Sequence, residues 1–370
     1  MNKEIISTGH AISIAVLFIM GTSIFMGVPG ESGNSNWIAV LLAMVLVVPL
    51  LLIYARLHVL LPGKDLFDML ITVFGGVLGR IISCLYIWYT FHLGTLILRV
   101  FGEFSRSVTL TETPMLAPML CLGLLCVWIV KAGIEVLGRS SNLLLLFGLF
   151  VNLVIVTLAF SKMEYHHLLP LLDKGWKPLF NDTLGTFSFP FAEIIVFLGA
   201  FANLSNKSSV RKVLFGSVAI AGTIIIMATL RNLLMLGPEV LSSLYFPAYV
   251  SAGRINVGDF LTRIEASSAV AFVITTFIKG SLCLYVSCIG VAKVFKLKSY
   301  RSVVLQMGLL MIYFADFVYK NIMEMYYFSY HIYKIYAFPF QVIIPLILWI
   351  CAEIVVSRGK NKQIAPQSQQ

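Results

Sequence analysis

What most restricts this sequence is a succession of ten apolar runs, each about as long as a membrane-crossing helix. They occupy 9–30, 36–56, 80–102, 114–131, 141–161, 184–204, 213–236, 268–292, 301–319 and 335–356. A hydrocarbon core about 30 Å thick is crossed by roughly 20 residues of helix, which satisfies its own backbone polar groups without water. Over the 370 residues 59% are hydrophobic and 12% charged, whereas a soluble domain is about a quarter charged. That balance excludes a soluble enzyme, a disordered regulator and a disulfide-stapled secreted domain. The expected class is an all-α integral membrane protein.

The basic residues choose an orientation. With the N-terminus placed in the cytoplasm, the inner loops carry about twice as many Lys and Arg as the outer ones, the bias of the positive-inside rule. Both termini are therefore expected inside, and the net charge of +10 reads as a topology signal. Only Lys3 precedes the first run and no small-x-small cleavage site follows it, so that run is expected to be a retained span. Residues 1–356 read as one transmembrane domain, and 357–370 as a polar cytoplasmic tail. The outer stretch before the last span holds Tyr326, Tyr327, Tyr330, Tyr333 and Tyr336, and is expected to be an interfacial aromatic belt.

Two spans are candidates for interruption. The first contains Gly21, Thr22, Ser23, Gly27, Pro29 and Gly30; the sixth contains Gly185, Phe189, Pro190, Phe191 and Glu193. Gly loosens a helix and Pro removes a backbone donor. Spans one and six open two consecutive sets of five, about 9–161 and 184–356, and five is odd, so the second set enters from the opposite side. That is the arithmetic of a 5+5 inverted repeat with helices 1 and 6 discontinuous and a site between them. Free amides at a half-helix end attract a carboxylate, and free carbonyls suit an ammonium or a cation. A zwitterion such as an amino acid fits both.

Ten spans in that arrangement, with a Gly-rich break in the first, resemble the amino acid–polyamine–organocation (APC) transporter superfamily, whose fold is LeuT-like. More narrowly, Phe189-Pro190-Phe191-Ala192-Glu193 and the outer segment from Ile255 through Asp259 and Arg263 to Glu265 resemble the spore germination permeases, the B subunits of nutrient germinant receptors. Ala192 departs from that pattern, where a glycine is expected before the glutamate. The resemblance implies an inner-spore-membrane protein that senses a nutrient together with A-type and C-type subunits.

Ionisable groups at mid-bilayer each need a partner or a task. Glu193 follows the break in span six, Lys279 is central in span eight below Thr275 and Thr276, and His92 is central in span three. In the fold that the resemblance implies, spans one, three, six and eight surround the site. Gly21, Thr22, Ser23 and Gly27 are expected to present amides and hydroxyls there. Phe189 and Phe191 would shape its apolar side, Glu193 would lie beneath, and Thr275, Lys279 and His92 would line the rest. Two readings of Glu193 and Lys279 stay open: groups that hold a ligand, or a buried ion pair that fixes packing. Arg99, Arg231 and Asp316 lie towards the outer ends of their spans and are expected to reach water by snorkelling.

The outer loop 237–266 reads as a structured lid around Phe246, Pro247 and Tyr249. Asp259, Arg263 and Glu265 form its candidate partner or gating segment. The six cysteines lie in or beside apolar segments without metal-ligand spacing, so no metal site, cofactor or disulfide framework is expected. No catalytic motif appears in an aqueous segment. The expectation is therefore a non-enzyme: a germinant-receptor subunit binding a small nutrient, or a secondary amino-acid transporter coupled to protons or to exchange.

Overall fold

The computed structural model describes residues 4–200, 202, 204, 209–255 and 264–364, with side chains through Ser357. Its helices in chain order are α1 (Thr8–Met20), α2 (Ser23–Met26), α3 (Asn36–Leu46), α4 (Val48–Leu60), α5 (Leu66–Phe74), α6 (Leu78–Phe104), α7 (Leu116–Ala132), α8 (Ile134–Ala159) and α9 (Trp176–Thr186). They continue with α10 (Val210–Leu236), α11 (Pro238–Ser243), α12 (Pro247–Gly253), α13 (Ile264–Val294), α14 (Val304–Phe317), α15 (Ile322–Tyr327), α16 (Tyr333–Phe338) and α17 (Ile344–Ile364).

Among the described residues, eight helical stretches are long and apolar enough to cross a membrane. They coincide with eight of the ten predicted runs. The other two runs fold as shorter apolar helices: α7 with 17 residues and α14 with 14. At about 1.5 Å per residue these rise only ~26 and ~21 Å.

Burial sorts the helices into an inner and an outer set. From Ser13 to Met20, α1 is buried on every side, as is α6 from Tyr89 to Phe104 and α13 from Ile278 to Gly290. A helix apolar and buried all round belongs at the centre of a bundle, and α1 packs against α8, α10 and α13 while α13 packs against α6. The outer helices carry exposed apolar side chains, among them Leu143, Leu146 and Phe150 of α8, Leu310 of α14 and Ile350 of α17. Those faces are what lipid would cover.

The side that carries the N-terminal segment is tied shut by charge. Glu4 accepts hydrogen bonds from Arg301 (2.6 Å), Tyr300 (3.0 Å) and the backbone N–H of Ile134 (3.2 Å). Lys293, near the end of α13, pairs with Asp65 at 2.6 Å and also with Asp68. On the opposite side the predicted lid is built from α11 and α12. Phe246 packs edge-on against Phe104 with ring centroids 5.1 Å apart, and α12 rests on α2, α10 and α13.

Candidate functional site

Both predicted breaks are present. α1 ends at Gly21, whose φ of 31° and ψ of −125° leave the helix, a region that strains any residue with a Cβ. The Ser23 hydroxyl turns back to donate to Ile19 O (3.1 Å) and Met20 O (2.7 Å), and Thr275 donates to Gly21 O at 2.8 Å. Carbonyls freed by the break are thus taken up by side chains. In the sixth run, α9 passes into a wide turn over Phe187–Phe191, where Phe189 adopts φ −133° and ψ 110°. Pro190 offers no N–H at that point, and the chain resumes as a tight 3₁₀ helix over Ala192–Gly199.

Between the breaks lies a buried charged network. Lys279 Nζ donates to Glu193 Oε2 at 2.5 Å, with neither side chain exposed. Lys279 also sits 5.1 Å from the Phe18 ring centre and 4.8 Å from that of Phe189, so its charge is held by a carboxylate and two ring faces. The other glutamate oxygen accepts from Tyr333 Oη at 2.6 Å. Tyr333 lies 3.2 Å from Tyr89 Oη, and Gln341 donates both to Tyr89 Oη (3.0 Å) and to Ser188 O within the break (2.9 Å). The ion pair left open by the sequence therefore forms, and it is anchored through tyrosines to the broken backbone.

One cavity adjoins this network and a second lies beyond it. The first, of about 30 Å³, is lined by Thr22, Met26, Phe189, Glu193, Ser329 and Tyr333, with α6 residues closing it. A larger chamber of about 480 Å³ on the lid side is lined by Met26–Gly30, Tyr245, Tyr326, Tyr327 and Tyr330. Met26 belongs to both walls, and its carbonyl accepts from Tyr330 at 2.8 Å and Tyr326 at 3.3 Å. A small-molecule pocket usually has ~300–1,000 Å³. The chamber is large enough for a small molecule of amino-acid size; the inner cavity is not without movement.

Of the predicted site residues, Thr22, Phe189 and Glu193 line the inner cavity, and Gly27 (φ 80°) lines the chamber. Gly21, Thr275 and Lys279 lie around the break in helix 1. The Ser23 hydroxyl is spent on its own helix, and Phe191 is fully buried in the core. His92 stands apart among rings, stacked on Trp88 at 5.4 Å and edge-on to Tyr336 at 5.2 Å. Asp259 and Arg263 lie outside the described residues, while Glu265 falls in the first turn of α13.

Several expectations change. The tyrosines before the last run form no simple belt: Tyr333 is buried on α16 and holds Glu193, and Tyr326 and Tyr330 cap the end of α2. Neither Arg99 nor Arg231 snorkels, being 2% and 3% exposed. Arg99 is bound by Glu103 (2.8 Å) and donates to Ala315 O and Asp316 O at the end of α14. Only Asp316 is exposed as expected. Tyr333, expected at the interface, and Gln341, an amide inside the last apolar run, are members of the network beyond the expected set; a lone amide in such a run is itself a signal of a buried polar partner.

Broken helices around a buried polar centre, inside a shell of apolar helices, define a multi-pass membrane protein of the LeuT-type transporter fold. Solved structures share it: MHP1, a nucleobase-cation-symport-1 family transporter with bromovinylhydantoin bound, matches with TM-score 0.66 at 11% identity over 96% of this chain and 91% of that one. MhsT in complex with L-phenylalanine matches with 0.60 at 12% identity over 96% and 97%, and a Na⁺-coupled sialic acid symporter with 0.66 at 12% identity over 90% and 77%. The chain belongs to the spore germination protein family of permeases, whose family model matches residues 5–325. Spore germination protein KB of Bacillus subtilis (strain 168) is 28% identical over 359 residues, 95% of each chain. Spore germination protein XB of Bacillus anthracis is 20% identical over 258 residues, 69% of this chain and 71% of its own.

Proposed function

We propose that this chain is the membrane subunit of a spore germinant receptor, binding a small zwitterionic nutrient, an amino acid in class, between broken helices 1 and 6. The observation that carries the reading is the Glu193–Lys279 pair, fully buried beside both breaks. Separating such a pair by removing one partner costs ~3–5 kcal/mol, because the other charge is left uncompensated. A zwitterion replaces both partners at once: its ammonium meets Glu193 and its carboxylate meets Lys279, while Tyr333 keeps Glu193 in place. The closed inner cavity makes that exchange impossible without opening. Binding therefore favours a different arrangement of helices, and differential affinity is what shifts a population.

In this reading the nutrient arrives through the chamber under α11 and α12 and passes Met26. A-type and C-type subunits sense the shift in the inner spore membrane, with both termini of this chain cytoplasmic. Residues 1–356 act as one transmembrane domain of two repeats, about 9–161 and 184–356, with 357–370 as tail. Asp259, Arg263 and Glu265 are assigned to partner docking or gating. The second reading, a secondary amino-acid transporter, is favoured by the likeness to transporters, one of them solved with L-phenylalanine. Reconstitution separates the two. Spores carrying Glu193→Gln should insert the subunit but lose the response to nutrient, and wild-type protein in liposomes should bind nutrient without accumulating it. Robust uptake by the isolated chain favours the transporter; a normal response from Glu193→Gln spores removes the site.

A further inference from the structure

Arg231 of α10 is a buried cation with no acid beside it. Its Nε and Nη2 donate only to Asn232 Oδ1, at 3.2 and 2.9 Å, and that oxygen also accepts from Ser251 at 2.8 Å. Other cations held inside the bundle have a carboxylate: Lys279 has Glu193, Arg99 has Glu103, and Lys293 has Asp65 and Asp68. Among the described residues no acid lies within ion-pair distance of Arg231. One neutral, shared amide oxygen does not offset a guanidinium removed from water, which costs several kcal/mol.

The same side chain lines a cavity of about 20 Å³ enclosed by α1, α2, α8, α10, α12 and α13. The polar groups around it are Arg231, Asn152, Ser268 and Thr275, and no acidic residue takes part. Thr275 is committed to Gly21 O and Phe272 O. The Asn152 amide and the Ser268 hydroxyl have no hydrogen-bond partner among the described residues. A positive charge, an amide N–H and a hydroxyl thus surround one small void whose other walls are apolar, including Met20, Ile24, Phe25 and Ile155.

We propose that this cavity is a binding site for a single small anion of the halide class, with Arg231 as its counter-charge and Asn152 and Ser268 as further donors. A water molecule would fill the space but leave the charge uncompensated. The volume holds about one water-sized occupant, which admits a monoatomic anion and excludes an amino acid. Its apolar walls favour chloride or bromide over the more strongly hydrated fluoride. The site is independent of the nutrient reading, since it uses neither Glu193 nor Lys279. It does touch the same break, through Met20, Ile24 and the Thr275 bond to Gly21, so its occupant holds α1, α8, α10 and α13 in register around that break.

The test is thermal unfolding of the purified full chain in detergent, in sodium chloride, bromide, fluoride or gluconate at equal ionic strength. Chloride and bromide should raise the midpoint saturably by about 3–6 °C over gluconate. Arg231→Gln should abolish that dependence, and Arg139→Gln, at an exposed position, should retain it. Bromide-soaked crystals of the wild type should show anomalous density within hydrogen-bond distance of Arg231, which decides the matter even if Arg231→Gln does not fold. Equal midpoints in halide and gluconate with no bromide peak would overturn the proposal. So would stabilisation by formate or acetate alone, since the occupant would then be a carboxylate.

Discussion

The side chain of Lys279 passes so close to Gly21 that a Cβ added there would lie 2.4 Å from Lys279 Cδ and 2.7 Å from Phe18 O. Glycine at this position does two things: it allows the positive φ that ends α1, and it leaves the corridor through which the lysine reaches Glu193. Gly21→Ala should therefore destabilise the protein by about 1–3 kcal/mol through overpacking and backbone strain. Gly9→Ala, in the first turn of α1 where nothing lies within 4 Å, should hold or slightly raise the unfolding midpoint. Thermal unfolding of both variants checks the contrast, and only Gly21→Ala should also lose the germination response.

The ion pair predicts strong non-additivity. Glu193→Gln or Lys279→Met alone should cost about 3–5 kcal/mol, each leaving one buried charge unpaired. The double variant should recover much of that loss while remaining silent to nutrient. A double-mutant cycle on unfolding free energies reads the coupling. Additive costs would mean that the two charges do not interact in solution.

At the C-terminal end of α2, Tyr330 and Tyr326 donate to the same Met26 carbonyl. Each can therefore stand in for the other. Tyr330→Phe should cost less than about 1 kcal/mol, whereas the double Phe variant leaves a half-buried carbonyl bare and should cost about 1–3 kcal/mol. The double variant should also shift the nutrient concentration giving half-maximal response, because Met26 stands in the wall between chamber and inner cavity.

Asp65 lies in the loop before α5 and caps that helix by accepting from Asp68 N at 3.0 Å. Burial pushes its carboxyl above the usual range, opposed by the charge of Lys293. A raised folded-state value means that its favourable contribution is present while it is protonated, below the unfolded value of about 3.9, and is lost as pH rises through the folded value. Asp65→Asn keeps a capping side chain and stays neutral, and Lys293 retains Asp68. It should match wild type in acid and unfold at a higher temperature at neutral pH. Asp65→Ala should lose about 1 kcal/mol with the cap. Unfolding midpoints across pH separate the two.

The bundle was legible because hydropathy reports how much of a helix avoids water, and Gly21 and Pro190 announce their breaks through backbone chemistry alone. Glu193 and Lys279 were visible as charges too deep to be idle. Hydropathy does not report which way a helix faces. That is why Arg231, near the end of its span, was expected to reach water and instead turns inward. Tyr333 was hidden for the opposite reason: tyrosines near a membrane surface ordinarily sit at the interface, and only the packing of α16 against the sixth-run break brings this one to Glu193. The chamber under α11 and α12 depends on loop geometry that no periodicity encodes.

Equilibrium binding of a panel of L-amino acids, each beside its amide and its decarboxylated amine, to the purified chain tests the central claim most directly. The account predicts that at least one amino acid binds wild type at least tenfold more tightly than its amide or amine. It further predicts that Glu193→Gln abolishes binding and that Lys279→Met erases the preference for a free carboxylate. Undiminished, carboxylate-selective binding by the Glu193→Gln, Lys279→Met double variant would contradict it.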